Sequence, residues 1–211
     1  MIKRMRLAAI ALLLGGQPAS PAAQEAHPSA TPGATGLYRL LADSRLEVKT
    51  GKSGLLGFVG HEHVIRANAF EGEVHYRADS AEATAIIIRI LTDGLEVLTP
   101  PDTAEIRKVT AAMRSEVLHV EQYPEMTFVS RAITAEDRGY RVTADFTMHG
   151  TTREITVPVT VEFRGDTLVA KSKFELKQTD FGIRPYRGGP AGAVKVADKV
   201  EFRIEARALP E

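Results

Sequence analysis

Two histidines separated by a single residue are the side chains of this sequence best suited to metal or ligand chemistry. In an extended segment, His61 and His63 point to one face and Glu62 points to the other. Two imidazoles on one face could ligate zinc or copper, but a catalytic zinc usually takes three protein ligands, and no residue nearby in sequence provides a third. Metal binding is therefore the alternative. The first expectation is that both histidines contact the polar part of a ligand or form hydrogen bonds near a strand end.

A further histidine, His149, stands directly before Gly150 and two threonines. A histidine near hydroxyl and carboxylate groups is one pattern of a hydrolase, yet the sequence has no Gly-x-Ser-x-Gly nucleophile motif. A β-hairpin uses the same residue types in its turn, where glycine supplies a positive φ. The sequence therefore predicts a hairpin at His149, with no catalytic residue and no cofactor.

The composition excludes several classes of site and partner. None of the 211 residues is a cysteine, which excludes a disulfide framework, a thiol nucleophile and a cysteine-ligated zinc. The 27 basic and 27 acidic residues balance and are interspersed, so no basic surface for nucleic acid or an anionic membrane is expected.

The N-terminus has the pattern of an export signal. Lys3, Arg4 and Arg6 precede an apolar run over residues 7–14 and then small residues. The run is shorter than the roughly 20 apolar residues of a membrane-spanning helix. We expect a signal peptide at 1–23, a flexible leader rich in Pro, Ser, Thr and Ala at 24–36, and one domain at 37–211, located in the periplasm or secreted.

Alternating apolar and polar residues dominate the chain after Tyr38. Strand side chains alternate between faces, so this pattern predicts antiparallel strands with one dry face and one wet face. The predicted strands lie near 45–50, 64–77, 83–92, 126–134, 141–148, 154–163, 167–177 and 200–207.

One segment has helical spacing instead. Its apolar residues are Ile106, Val109, Met113 and Val117. Asp102 and Glu105 are placed to cap the first turn, so the pattern predicts a helix from about Thr103 to His119. Met113 is expected to pack in the core rather than contact a cofactor.

These elements predict an all-β protein with one or two short helices. About eight strands must hide their edges, and closure into a barrel does so completely, although a sandwich is an alternative. The apolar faces could fill the barrel or line a cavity for a greasy ligand, since each buried methylene contributes about 0.8 kcal/mol. The pattern leaves both possibilities open.

A set of short motifs connects the chain with a known family. They are Phe58-Val59-Gly60-His61, Phe70-Glu71-Gly72, Tyr123-Pro124 through Ser130, Met148-His149-Gly150-Thr151-Thr152 with its following strand, and Asp180-Phe181-Gly182-Ile183. In order and spacing, from about Tyr38 to Arg207, the sequence resembles the YceI-like family of bacterial, mostly periplasmic proteins, described as polyisoprenoid-binding and lipocalin-like. It departs from the commoner pattern at Gly60 to His63, where many members have a single histidine.

The resemblance implies an antiparallel eight-stranded lipocalin-like β-barrel around a tunnel for an isoprenoid or other long-chain lipid. It implies a binding protein without catalysis, and homodimerisation is an expectation that rests on family likeness alone. The expected ligand-binding residues are Phe58, His61, His63, Phe70, Ile88, Phe128, Phe146, Val157, Val159, Phe174 and Phe181.

Overall fold

The computed structural model describes residues 33–52, 62–99, 103–188 and 194–211. Its strands are β1 (Gly36–Leu40), β2 (Arg45–Lys52), β3 (Val64–Ala67), β4 (Phe70–Tyr76), β5 (Ala85–Leu91), β6 (Leu95–Val97), β7 (Glu125–Glu136), β8 (Gly139–Met148), β9 (Thr151–Arg164), β10 (Thr167–Lys177), β11 (Arg187–Gly188) and β12 (Val194–Pro210). Helix α1 (Thr103–Ala112) continues into a π-helical turn (Met113–Val117), and short 3₁₀ turns span Thr92–Gly94 and Gln178–Phe181. The predicted signal peptide lies outside the described residues.

The strands form a closed barrel, as the alternation and the family resemblance predicted. Eight strands follow one another in the order β1, β4, β5, β7, β8, β9, β10 and β12, and β12 pairs with β1 to close the ring. Each pairing is antiparallel. Strands β2, β3 and β6 extend the wall from β12. Closure satisfies the strand edges, and the predicted fold class is confirmed.

The predicted strand at 64–77 is interrupted in the structure. Strand β3 ends at Ala67 and β4 begins at Phe70, and the two residues between them form hydrogen bonds with the end of β5 and the 3₁₀ turn after it. Asn68 donates its N–H to Gly94 O at 3.0 Å, while Ala69 O accepts from Leu91 N at 2.9 Å. A Cβ on Gly94 would lie 2.5 Å from the Ala69 Cβ, so this close approach requires glycine.

The two ends of the barrel differ. At one end, the hairpin end, short turns join β7 to β8 and β9 to β10. Tyr38 closes this end; it is 1% exposed and its ring contacts Tyr76 and Phe163, with centroids 5.9 and 6.1 Å away. The Tyr38 hydroxyl donates to Ala34 O at 2.8 Å, so the last residues of the predicted leader contact the barrel.

The opposite end, the helix end, carries α1 and the π turn, and the predicted helix is confirmed. Met113 is 8% exposed in the main hydrophobic cluster, as expected for core packing. The segment lies beside β6, where the Thr110 hydroxyl accepts from Val97 N at 3.2 Å and the Arg114 guanidinium donates to Leu95 O at 2.8 and 3.1 Å. No helix among the described residues is long and apolar enough to cross a membrane.

Candidate ligand-binding cavity

The barrel encloses a largely apolar cavity. Its volume is about 200 Å³. A single water needs a cavity of only about 10–15 Å³, so side chains leave much of the interior unfilled. Of the two possibilities that the sequence pattern left open, the structure therefore has the cavity.

Inward-facing residues of most of the barrel strands build the cavity lining. Every second residue of a strand faces inward. The apolar lining includes Val48, Ile65, Ile86, Ile90, Met126, Val142, Met148, Ala170, Phe202 and Ile204. Leu118, directly after the π turn, adds an apolar side chain from the helix end.

Six of the residues expected to bind ligand line this cavity. They are Ile88, Phe128, Phe146, Val157, Val159 and Phe174. The rings of Phe174 and Phe202 stack with centroids 4.9 Å apart, and Phe146 meets Phe202 edge to face at 5.8 Å. These six residues lie where a ligand would contact them, and their binding role stays a prediction.

Two further predicted residues lie outside the cavity lining. Phe181, in the 3₁₀ turn after β10, is 1% exposed and packs edge to face on Phe146 with centroids 5.5 Å apart. Phe70 is half-buried at the start of β4 and packs against the main cluster. Both residues pack in the same hydrophobic cluster as lining residues such as Phe146.

Of the predicted histidine pair, the structure describes His63, which lies at the helix end. His61 and Phe58 lie outside the described residues. The Nδ1 atom of His63 lies 2.6 Å from Thr99 O, and its backbone N–H donates to the Thr50 hydroxyl at 3.3 Å. Within the described parts of the chain, no group of three or more His, Cys, Asp or Glu side chains could hold a metal ion.

The cavity lining contains a few polar side chains. They are Thr50, Ser172 and Gln178, together with Glu47 and Lys171. Both charged residues form ion pairs on the outer face: Glu47 contacts Arg66 at 2.6 Å, and Lys171 lies 4.0 Å from two glutamates. Thr50 and Gln178 lie at the helix end, so hydrogen-bonding groups and His63 share one end of the cavity.

A cluster of two histidines and a tyrosine lies outside the cavity, and the sequence reading missed it. His119 and His149 have φ of 45° and 52°, the positive-φ non-glycine residues of the described chain. The His149 ring lies 4.2 Å from Tyr123 and 5.7 Å from His119, measured between centroids. The signal in the sequence was the two-residue turn between β8 and β9. A hairpin turn of this type needs positive φ at both central residues, His149 and Gly150.

The surroundings of the His149 imidazole favour its neutral form. Burial lowers its pKa below the ordinary histidine value, and the nearby His119 ring lowers it further, while a bond to the Phe181 backbone acts in the opposite direction. Its Nε2 atom is buried without a hydrogen-bond partner among the described residues. The imidazole thus joins the β8–β9 turn to the residues after the π turn and after β10.

The closed antiparallel ring, the apolar cavity and the polar groups at one end define a lipocalin-like β-barrel. A family model described as the YceI-like domain matches residues 42–208. The chain belongs to the YceI-like family. Among curated protein sequences, no significant match is found.

Solved structures with the same fold are distant in sequence. Burkholderia cenocepacia BcnA is 20% identical with a TM-score of 0.64, covering 79% of this chain and 96% of its own. A polyisoprenoid binding domain from Saccharophagus degradans, implicated in plant cell wall breakdown, is 11% identical with a TM-score of 0.58, covering 84% and 100%. A Campylobacter jejuni YCEI protein is 13% identical with a TM-score of 0.55, covering 70% and 84%. At these identities the similarity concerns the fold.

Proposed function

We propose that this protein is an exported, non-catalytic binding protein that holds an amphipathic isoprenoid or other long-chain lipid for transport, storage or sequestration. The single observation that carries the proposal is the apolar cavity of about 200 Å³ inside a closed barrel. Export to the periplasm or beyond rests on the N-terminal sequence pattern.

The shape and polarity of the cavity favour one orientation of the ligand. Tyr38, Tyr76 and Phe163 close the hairpin end with aromatic rings. Thr50 and Gln178 add hydroxyl and amide groups at the helix end. The hydrocarbon tail therefore points towards the hairpin end, and the polar group lies at the helix end near His63.

Hydrocarbon burial is sufficient for useful affinity. At about 0.8 kcal/mol per methylene, ten buried methylenes contribute about 8 kcal/mol before the cost of ordering the chain. Association and ordering reduce that gain by several kcal/mol, so a longer tail is needed for tight binding. The polyisoprenoid binding domain of Saccharophagus degradans, which shares the fold, supports an isoprenoid as the ligand.

The first experiment identifies the ligand. The protein is purified without detergent, extracted with organic solvent, and the extract is analysed by mass spectrometry. We expect a long-chain amphiphile in stoichiometric amount. Ala170→Phe, which fills the cavity from β10, should lose at least tenfold of this yield, because its side chain occupies the ligand volume.

Thr160→Phe is the matched control, since it adds the same ring to the exposed outer face of β9. It should retain the ligand at the wild-type yield. If neither the wild type nor the control variant yields a lipid on extraction, the proposed function is contradicted.

A further inference from the structure

The barrel wall is not hydrogen-bonded along its whole height between β9 and β10. Residues 160–164 of β9 pair with residues 167–171 of β10. Among the described residues, the rest of β9 pairs with β8, and the rest of β10 pairs with β12. A seam, the β9–β10 seam, therefore separates residues 151–159 from residues 172–177 and runs to the helix end.

Pro158 accounts for the point where the ladder stops. Its carbonyl oxygen accepts a hydrogen bond from the Ser172 hydroxyl at 2.7 Å, so it points towards β10. In an antiparallel strand, the N–H and C=O of one residue face the same neighbour. The N–H that proline lacks is thus the one that would bond to β10, and the next rung cannot form.

A short strap, residues 178–183, closes this seam with side chains. Gln178 and Ile183, the first and last residues of the strap, line the cavity, and the Phe181 ring packs edge to face on Phe146. The chain turns sharply at Gly182, whose φ is +73°. The strap therefore occupies the part of the wall where strand pairing is missing.

Side-chain hydrogen bonds fasten the strap. On one side, Gln178 Nε2 donates to Ala197 O of β12 at 2.8 Å, and Thr179 donates its N–H and its hydroxyl to the Asp198 carboxylate of β12 at 2.9 and 2.7 Å. On the other side, Arg153 Nε of β9 donates to Asp180 O at 2.9 Å, and the His149 ring of the β8–β9 turn forms a hydrogen bond with the Phe181 backbone. The β9 side is thus held by side chains rather than by a continuous ladder, and it is the side that can separate.

We propose that the β9–β10 seam is a side entrance through which long hydrocarbon chains enter and leave the cavity. This rests on the proposed function. Movement of the strap away from β9 opens the cavity along its length, so a chain enters sideways while its methylenes stay against apolar lining. End-on entry would instead require the whole chain to pass through the helix end, one methylene after another.

Bridging the seam tests this entrance. The chain has no cysteine, so two introduced cysteines are unique. Thr156→Cys with Glu175→Cys places both thiols on the exposed outer face, opposite each other when the register of the paired part is continued across the seam. Bis-maleimidoethane then joins β9 to β10, and mass spectrometry verifies the bridge.

The matched control applies the same bridge where the strands already pair. Thr160→Cys with Lys171→Cys are registered partners on the outer face. The readout is stopped-flow transfer of 1-pyrenedecanol between protein and phosphatidylcholine vesicles. We expect the bridged seam variant to bind and release at least tenfold more slowly with Kd within twofold, while the unbridged variant and the bridged control keep wild-type rates.

A variant in which the strap is held less firmly should give the opposite result. Asp198→Ala removes the acceptor of both Thr179 bonds, so release of 1-pyrenedecanol should accelerate severalfold. Transfer rates that the seam bridge leaves unchanged would contradict the side entrance while leaving the proposed function intact. Failure of 1-pyrenedecanol to bind the unmodified protein would contradict the proposed function and, with it, the entrance.

Discussion

Two separate features of the structure require glycine at Gly150. Its φ of +71° lies in the left-handed region, and a Cβ at this position would lie 2.6 Å from the Tyr123 ring. The first constraint is local to the hairpin turn. The second is not, because Tyr123 comes from the segment before β7.

Gly150→Ala should therefore destabilise the protein by about 2–3 kcal/mol, the sum of a left-handed alanine and a displaced Tyr123 ring. Gly165→Ala is the matched control, because Gly165 has φ of +59° and open space where its Cβ would lie. It should cost only about 1 kcal/mol. Urea unfolding measures both, and equal losses would show that the Tyr123 contact contributes nothing.

At the scale of elements, His149 joins pieces of chain that are far apart in sequence. The β8–β9 turn carries its ring, His119 follows the π turn, and the Phe181 backbone belongs to the strap. The neutral imidazole fits among them, whereas a protonated one is disfavoured by burial and by His119. Packing of the helix end therefore depends on pH.

The sign follows from the lowered pKa of His149. Below the ordinary histidine pKa, the unfolded chain takes up a proton at this position before the folded protein does, so the free energy of unfolding falls as pH falls towards the lowered value. At pH values above the ordinary histidine pKa, the contribution of His149 to the free energy of unfolding should be fully present. Urea unfolding at pH 5 and pH 7.5 should show a smaller difference for His149→Phe than for the wild type.

His75→Phe is the control for this experiment, because the His75 side chain is 53% exposed on the outer face of the barrel. It should retain the pH dependence of the wild type. A wild-type pH dependence in His149→Phe would mean that other groups cause the acid sensitivity.

At the scale of the whole molecule, ring closure creates the cavity. Eight strands enclose more space than the side chains of this sequence fill, and aromatic rings at the hairpin end make it blind at one end. An apolar cavity that is closed at one end limits the length of the hydrocarbon tail that it can hold. Affinity should thus depend on chain length.

Primary alcohols of increasing length should raise the melting temperature progressively, because each added methylene buries more surface until the cavity is full. At a ligand concentration of 100 Kd the stabilisation is about 2.7 kcal/mol. Differential scanning calorimetry measures the series. A shift that does not depend on chain length would contradict burial of the tail, and Ala170→Phe should show the plateau at a shorter chain.

Strands and helix could be predicted because their signals are local. Side-chain alternation and the spacing of Ile106, Val109 and Met113 depend on residues close in sequence, and both patterns match the structure. The break between β3 and β4 could not be predicted, since it depends on the approach of Gly94, in the 3₁₀ turn after β5, to Ala69. The position of Phe181 against Phe146, outside the cavity lining, depends in the same way on where the strap crosses.

The sequence by itself determined the all-β class, the helix, the turn at His149 and the family. Each rests on periodicity, on turn chemistry or on ordered short motifs. Only the tertiary structure decided that side chains leave a cavity in the interior, that the Pro158 position lacking an N–H faces β10, and that His119 meets His149. These features depend on which strands become neighbours when the ring closes, and that spatial relation is not encoded in any single stretch of chain.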